Sequence, residues 1–230
     1  MRYNNIKEGI FLKRPNRFLA HVLIDDKEEI VHVKNTGRCK EILKEGVKVI
    51  LEPSSNPNRK TAYSLIAAYK GGMLINIDSQ IPNMVVFEGI KDKKIPLLSD
   101  TIDLKREVGY KNSRFDIYFE RKNSKGFLEV KGVTLEKDGI AMFPDAPTER
   151  GRKHLLELGE AVSKGYEGFV VFFIQFNMGE GYFTPNSITD PKFAEALSHC
   201  ASNGVKILSY DSKVEEDQIT INKEIKIHLV

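Results

Sequence analysis

The chain has few cysteines and no apolar run of membrane length. Cys39 and Cys200 are its only cysteines, and they lie far apart without a CxxC pair, so neither a disulfide framework nor a zinc site is indicated. The opening segment MRYNNIKEGIFLKR lacks the apolar centre of a signal or transit peptide. Internal repeats and low-complexity segments are absent as well. We therefore expect a cytoplasmic protein without a membrane partner.

The charge is unevenly distributed along an otherwise ordinary globular composition. The 230 residues are 41% hydrophobic and suffice for one or two domains. Residues 1–80 carry 14 lysines and arginines against 9 acids, whereas the remainder carries 21 against 23. A basic excess on one small domain is typical of a polyanion-binding protein, but it also serves solubility alone. Solubility is the favoured interpretation until a motif argues otherwise.

Residues 1–80 are predicted to form a compact β domain of short strands. Turn signals such as Arg14-Pro15-Asn16 and Gly71-Gly72 separate the strand-like runs. One short helix, Arg38–Leu43, is predicted between the third and the fourth strand. This order is typical of an OB-like β-barrel, a fold that often binds nucleic acid across one face. The predicted strands are Ile6–Leu12, Arg17–Ile24, Glu28–Val33, Val47–Glu52, Thr61–Tyr69 and Met73–Ile77.

Cations and aromatic residues of this domain are candidates for nucleic-acid contacts. Cations beside turns can meet phosphates, and aromatic rings can stack on bases. For the aromatic residues, filling the barrel core is the favoured alternative. The candidate cations are Arg14, Arg17, Arg38, Arg59 and Lys60, and the aromatic residues are Phe11, Phe18, Tyr63 and Tyr69.

A second unit, residues 81–230, follows a linker predicted around Ser79–Met84. The run FVVFFIQF at Phe169–Phe176 is apolar on both faces, so we expect a central strand covered by helices on each side. The unit is predicted to be a mixed sheet flanked by helices, which makes the whole chain α/β (α+β overall). The other predicted elements are helices at Ser99–Val108, Thr148–Lys164 and Pro191–Asn203 and strands at Gly139–Phe143, Val205–Tyr210 and Gln218–Val230.

The segment SRFDIYFERKNSKGFLEVKG predicts a β-hairpin with a charged face. Side chains alternate along a strand, so Asp116 points away from its apolar neighbours, and Glu129 and Lys131 share one face. A turn near Asn123 and Ser124 would bring these three residues together. Two carboxylates and an amine would then meet beside an apolar core.

This constellation suits metal-assisted hydrolysis of a phosphodiester. Mg²⁺ or Mn²⁺ takes carboxylate ligands and can bridge to a phosphate, so Asp116 and Glu129 are candidate ligands. Lys131 could orient the attacking water and offset charge that builds on the phosphate. A solvated polar face with a surface ion pair explains the same residues equally well.

A second cluster lies at the start of the long predicted helix, in FPDAPTERGRKHLLEL. Asp145 or Thr148 can cap the helix, whose first turn offers free backbone N–H groups. A helix start edged with cations can bind phosphate, but an ordinary capped helix with a solvated basic face is the alternative. His154 is interpreted as a hydrogen-bonded structural residue. The candidate phosphate-binding residues are Thr148, Arg150, Arg152 and Lys153.

The sequence closely resembles the sugar fermentation stimulation protein A family of bacterial and archaeal proteins. The resemblance implies an N-terminal OB-like domain, a C-terminal domain of the PD-(D/E)xK nuclease type, and DNA binding. It also suggests a role in regulating sugar utilisation, such as maltose metabolism. The matching segments are KRPNRFLAHV at Lys13–Val22, HVKNTGRCKEIL at His32–Leu43, NSRFD at Asn112–Asp116, FLEVKGVTL at Phe127–Leu135 and FPDAPTERGRKHLLEL at Phe143–Leu158.

The resemblance implies roles for individual residues of the hairpin. It places the first acid of the nuclease motif at Asp116 and the ExK element at Glu129 and Lys131. Glu107, late in the predicted helix before the hairpin, stands where many such nucleases keep an additional metal-binding acid. Phe115 replaces the proline of the name-giving motif, which is structural and often lost, so the metal site does not depend on it.

Two hypotheses of different class follow. The first is an enzyme, a nuclease dependent on Mg²⁺ or Mn²⁺, and it is favoured because a scaffold has no need for repelling carboxylates beside a core. The second is a non-catalytic DNA-binding regulator, which the family's association with regulation favours. Direct action on a sugar lacks support, because a glycosidase needs no lysine or basic domain. The expected partner is DNA or RNA, and the oligomeric state is left open, a homodimer included.

Overall fold

The first six strands form a sheet that closes into a barrel. The computed structural model describes residues 1–35, 37–111 and 113–229. The sheet order is β3-β2-β1-β4-β5-β6, and β3 also pairs in parallel with β5, which closes a five-stranded barrel. The predicted OB-like barrel is therefore confirmed. The strands are β1 Lys7–Lys13, β2 Leu19–Ile24, β3 Lys27–Val33, β4 Lys48–Pro53, β5 Tyr63–Lys70 and β6 Met73–Asn76.

Alternating side chains fill the barrel. In β2, Ala20, Val22 and Ile24 are buried, while the residues between them are only partly covered. Because successive side chains of a strand point to opposite faces, this pattern directs one set inward. Gly9 on β1 faces the same interior, and a Cβ built there would lie 2.5 Å from Val22 Cγ1, so a larger residue would displace the packing.

The predicted helix at Arg38–Leu43 is wrong, because this segment forms turns instead. Cys39 has a φ of 47°, which lies in the left-handed region and cannot begin a right-handed helix. The N–H groups of Ile42 and Leu43 both donate to the carbonyl of Cys39. The segment thus forms a compact loop between β3 and β4. Thr36, which belongs to one of the quoted family segments, lies outside the described residues.

The predicted linker at Ser79–Met84 is also wrong, because a helix begins within it. Helix α1 spans Pro82–Lys91 and has its proline at the first position, where the missing N–H costs nothing. It buries Val85, Val86 and Ile90 against the second sheet. A short 3-10 helix follows at Pro96–Leu98.

The predicted helix at Ser99–Val108 is wrong as well. Strand β7, Asp103–Tyr110, occupies most of the segment and pairs antiparallel with β8, Ser113–Glu120. Glu107 lies between the paired residues Arg106 and Val108, and its φ is 55°. The register is the same on both sides of Glu107, which places this residue opposite Asp116, and its left-handed backbone interrupts the regular strand. Asn112, which starts another family segment, lies outside the described residues.

A mixed sheet with helices on both faces forms the rest of the molecule. Its order is β15-β14-β12-β9-β8-β7, and β9, β12 and β14 run parallel at its centre. The remaining elements of this sheet are β9 Lys125–Val133, β12 Glu167–Ile174, β14 Lys206–Glu215 and β15 Gln218–Glu224, with helices α2 Glu149–Ser163 and α3 Pro191–Ser202. A smaller sheet contains β10 Leu135–Lys137, β11 Ile140–Phe143, β13 Tyr182–Pro185 and β16 Lys226–Ile227.

Strand β12 is buried on both faces, as its sequence predicts. Val170 and Phe172 belong to the apolar cluster that contains Leu155 and Leu158 of α2. Phe169, Val171 and Phe173 belong to a second cluster, which contains the buried residues of α1. The OB-like barrel followed by a mixed sheet flanked by helices is thus confirmed. The predicted C-terminal edge strand corresponds to β15 at the sheet edge, followed by β16, while Val230 lies outside the described residues.

A buried polar network joins the barrel to the mixed sheet. Gln175, directly after β12, donates to the side-chain and backbone oxygens of Asn76 at the end of β6. A Cβ built at Gly132 would lie 2.5 Å from Gln175 Oε1, so the strand that carries Lys131 passes tightly under this contact. Lys34 forms an ion pair with the fully buried Asp78 at 3.1 Å. The boundary predicted at residues 80 and 81 therefore lies inside a shared packing region, and the division into two domains stays a prediction.

Among the described residues, no helix is long and apolar enough to cross a membrane. The two cysteines are both buried and unpaired.

Candidate metal and nucleic-acid site

Strands β8 and β9 bring Asp116, Glu129 and Lys131 together. Their pairing ends at Ile117 and Leu128, so the two acids lie where the strands begin to separate. The Val130 N–H then donates to Asp116 Oδ2 at 2.8 Å, which joins the strands through a side chain instead of a ladder bond. The Asp116 carboxylate is thus held by the sheet, and the separation of the two strands leaves space for a ligand beside it.

The Glu129 carboxylate is buried and only half satisfied. Its side chain is 3% exposed, and Oε1 accepts hydrogen bonds from Lys131 Nζ at 2.5 Å and His154 Nδ1 at 2.6 Å. The second oxygen, Oε2, is buried and has no hydrogen-bond partner among the described residues. A buried carboxylate oxygen without a partner is costly, so its place beside a second acid indicates a position for a cation.

The pKa values of the two acids move in opposite directions. Burial, the neighbouring Glu129 carboxylate and Glu107 raise the pKa of Asp116 to about 6, against the opposing effects of Val130 N–H and Lys131. Burial also opposes ionisation of Glu129, but Lys131 and His154 outweigh it and hold the pKa of Glu129 below its usual range. Lys131 and His154 therefore offset the charge of Glu129, whereas the charged form of Asp116 remains disfavoured.

Asn83 is a partner of Asp116 that the sequence did not reveal. Its Nδ2 donates to Asp116 Oδ1 at 2.6 Å, from the first turn of α1. The Ile81-Pro82 pair that introduces it was read as a linker signal, and a proline at the first helical position was the signal that could have placed Asn83 on a helix.

Glu107 lies beside this site. It is exposed on β7, opposite Asp116 in the register of β7 and β8, and its charge contributes to the raised pKa of Asp116. No group of three His, Cys, Asp or Glu side chains in the described part of the chain is arranged to hold a metal ion. Glu107 as a third metal ligand stays a prediction, and its predicted helical setting is wrong.

The start of α2 supplies a cationic entrance. Thr148 is the N-cap and accepts a hydrogen bond from the Gly151 N–H at 3.0 Å, as predicted for Asp145 or Thr148. His154, two turns further, is the residue that contacts Glu129, in keeping with its predicted structural role. A cavity of about 630 Å³ is lined here by Ser113, Arg114, Glu149, Arg150, Lys153 and His154. Arg114 was missed by the sequence analysis, and Arg152, half-buried, does not line the cavity.

The predicted cations of the barrel have different settings. Arg14 donates from its guanidinium to four backbone carbonyls of the neighbouring loops, which gives it a structural role. Arg17 and Arg38 are exposed and line a cleft of about 500 Å³. Lys60 is exposed on the loop between β4 and β5 and does not line that cleft. Whether these residues bind nucleic acid stays a prediction.

The fold defines a class of protein that combines an OB-like barrel with a mixed sheet flanked by helices. The family model described as the SfsA N-terminal OB domain matches residues 12–77, and the one described as the Sugar fermentation stimulation protein RE domain matches residues 80–218. The chain belongs to the sugar fermentation stimulation protein (SfsA) family.

Relatives match over nearly the whole chain. The Sugar fermentation stimulation protein homolog of Alkaliphilus oremlandii is 54% identical and covers 99% of this chain and 98% of its own length. The homolog from Clostridium perfringens is 53% identical and covers 100% of both chains. The structure of Pyrococcus furiosus SfsA in complex with Ca²⁺ matches with a TM-score of 0.90 and 29% identity over 99% of this chain and 98% of that chain.

Proposed function

We propose that this protein binds nucleic acid and hydrolyses its phosphodiester bonds with the help of a divalent cation. The observation that carries the proposal is Glu129 Oε2, a buried carboxylate oxygen without a partner, placed beside a second acid and a lysine. A purely structural acid would have both oxygens satisfied.

The residues present fit Mg²⁺ or Mn²⁺. Both ions prefer carboxylate oxygens, and Glu129 Oε2 and Asp116 would hold the ion, with Glu107 as an outer acid. The Pyrococcus furiosus relative is described in complex with Ca²⁺, another oxygen-preferring ion, which supports a cation site in the family. When bound, the ion supplies positive charge to a phosphate and activates water.

The chain's own residues would prepare the reaction. Lys131, 12% exposed and fixed by Glu129, offsets negative charge that develops on the phosphate. His154 and Asn83 hold the two carboxylates from opposite helices, so that neither has to reorganise when the substrate arrives. Arg114, Arg150 and Lys153 at the entrance attract the phosphate backbone.

Cleavage of labelled DNA and RNA with Mn²⁺ tests this proposal. We expect wild-type cleavage and its loss in Glu129→Ala and Lys131→Ala, because these changes remove a ligand and the charge beside it. The matched control is Glu160→Ala with Lys111→Ala, an exposed acid–lysine pair away from Glu129, which should leave cleavage unchanged. No cleavage by the wild type, or undiminished cleavage in both site variants, rejects the catalytic part.

A non-catalytic DNA-binding regulator of sugar utilisation, such as maltose metabolism, is the second candidate. Two observations favour it: the relatives are named for stimulation of sugar fermentation, and three metal-binding side chains are not gathered in the described part of the chain. Both candidates predict binding that weakens with salt, because the candidate contacts are cations. Binding without cleavage under every divalent ion would select this candidate.

A further inference from the structure

The cleft beside the barrel combines a cationic rim with an apolar floor. Arg17, Arg38 and Lys40 are exposed at its rim, and no acid is among the described residues that line it. Its floor is Ala146, from the loop before α2, together with the small exposed edges of Phe11 and Leu43, which are 3% and 9% exposed. Its volume of about 500 Å³ lies in the range of small-molecule sites. A ligand that contacts both the cationic rim and the apolar floor needs an anionic group and a flat apolar group.

The walls of this cleft are fixed by internal bonds. The Arg14 guanidinium donates to the carbonyls of Asn35, Gly37 and Arg38 on one loop and to that of Arg17 on another. The Arg38 N–H donates to Asp145 Oδ2 at 3.2 Å, which ties the barrel loop to the loop before α2. The cleft is therefore preformed, and a ligand would not have to order its walls.

The cleft lies close to the entrance of the carboxylate site. Ala146 lines the cleft, and Glu149 lines the cavity that also contains His154. The two residues are three positions apart in sequence, and a chain of that length spans at most about 11 Å. OB folds bind stretches of about 4–16 nucleotides, so one strand can occupy both places.

We propose that the cleft holds one unpaired nucleotide of a single-stranded nucleic acid, whose neighbouring phosphates reach the carboxylate site. The phosphate meets Arg17, Arg38 and Lys40, and the base lies on the floor of Phe11 and Leu43. A base paired within a duplex cannot enter such a cleft, so the substrate is a single strand or an unpaired end. This inference deepens the proposed function and rests on its nucleic-acid-binding half.

Fluorescence anisotropy with a labelled strand of about 12 nucleotides, alone and as a duplex, tests the proposal in the presence of Ca²⁺. Arg17→Glu with Lys40→Glu reverses two exposed rim charges, and Ala146→Phe fills the floor without changing charge. Lys192→Glu, an exposed lysine at the start of α3, is the matched control. Thermal unfolding of each variant checks that the fold is retained.

We expect the wild type to prefer the single strand by about tenfold or more, the scale of one stacked base. The double charge reversal should weaken binding and lower the slope of log affinity against log salt by about 1.4, the value for two phosphate contacts on a single strand. Ala146→Phe should weaken strand binding by about tenfold with an unchanged salt slope, because a base and not a phosphate is displaced. Lys192→Glu should leave affinity near the wild-type value.

Competition with thymidine monophosphate distinguishes a free nucleotide from a nucleotide within a strand as the ligand of the cleft. Displacement from the wild type but not from Ala146→Phe would mean that the cleft accepts free nucleotides too, and no displacement would restrict it to strands. Equal affinity for strand and duplex, or wild-type affinity in both cleft variants, overturns the inference. If the wild type fails to cleave but the cleft variants still bind the strand more weakly than the wild type, only the catalytic part of the proposed function is rejected. The failure of the proposed function and the failure of this inference are therefore distinguishable.

Discussion

Two buried acid–lysine pairs in this molecule differ in how completely they are satisfied. Asp78 is fully buried, and its oxygens separately accept from Lys34 Nζ at 3.1 Å and from the Gln80 N–H at 3.0 Å. Glu129 is 3% exposed, but both of its hydrogen bonds end on Oε1. The first pair connects the segments that follow β3 and β6, and the second has an oxygen without a partner among the described residues.

The number of hydrogen-bonded oxygens gives a way to distinguish a buried acid that stabilises this fold from one that binds a ligand. A buried acid that only stabilises the fold is expected to use both oxygens within the protein, because an unused one costs free energy. At Glu129 that cost is retained, and a second carboxylate stands beside it. Changes at Glu129 and its neighbours should therefore alter ligand binding, whereas a change at Asp78 should alter stability alone.

Glu129→Gln should have the largest effect, on activity. It removes the charge of the unpartnered oxygen while it keeps the shape of the side chain, so cleavage should fall by about a hundredfold or more, the cost of losing one electrostatic group at a catalytic centre. The free energy of unfolding should fall as well, by about 2–4 kcal/mol, because the change leaves the largely buried Lys131 without its carboxylate partner. Initial rates and urea unfolding measure both. Full activity in this variant would contradict the assignment of Glu129.

Asp78→Asn should act on stability instead. Lys34 would keep only the more distant Glu52, at 3.6 Å, so the free energy of unfolding should fall by about 2–4 kcal/mol. Urea unfolding measures the change. Asp25→Asn is the control, because Asp25 pairs with Lys7 while 78% exposed and should contribute about 1 kcal/mol or less. A loss no larger than the control's would mean that Asp78 is not the structural counterpart of Glu129.

Asn83→Ala should have an intermediate effect on cation binding. The amide orients Asp116, and loss of a group that orients a ligand typically lowers metal affinity by about 10–100-fold. Calorimetric titration with Ca²⁺ or Mn²⁺ measures it, and Asn203→Ala at the end of α3 is the control. If the affinity is the same in both variants, Asn83 does not position the acid.

Acidification should weaken cation binding gradually. Asp116 has a pKa of about 6, so it must lose a proton to bind a cation, and affinity should fall about tenfold per pH unit below that value. Because the folded pKa lies above the unfolded value of 3.8, the contribution of this group to stability is present below 3.8 and is lost as pH rises through about 6. The rise in melting temperature on adding Ca²⁺ should accordingly be larger at neutral pH than at acid pH. A pH-independent rise would place the cation elsewhere.

The pairing of β8 with β9 could be predicted from sequence, but the predicted alternation is wrong at Phe115, which lies in the apolar cluster of α2 while Ile117 and Phe119 lie in that of α1. Phe115, Ile117 and Phe119 are all fully buried, and Asp116 meets the strand of Glu129. Their surroundings could not be predicted, since Phe115 packs against Phe127 at 5.0 Å while Phe119 packs against Phe169 in the other apolar cluster. Neighbours from distant segments leave no local pattern.

The three errors in secondary structure have separate physical causes. Strand β7 is largely exposed and its burial does not alternate, and Glu107 interrupts it with a left-handed backbone. Cys39 adopts a left-handed conformation that its residue type does not reveal. Pro82 was interpreted as a breaker although it starts a helix. The partner Asn83 could not be predicted for a related reason, because its contact with Asp116 arises only when α1 packs on the sheet.

The tight passage at Gly132 limits how this architecture can be recombined. The strand that carries Glu129 and Lys131 leaves the site beneath Gln175 and Pro82, with no room for a side chain, and Gln175 is itself held by Asn76 of the barrel. A barrel exchanged for one from another protein would lose the partner that fixes Gln175. Evolution and engineering must therefore alter the end of β6 and strand β9 together, as a single inherited unit.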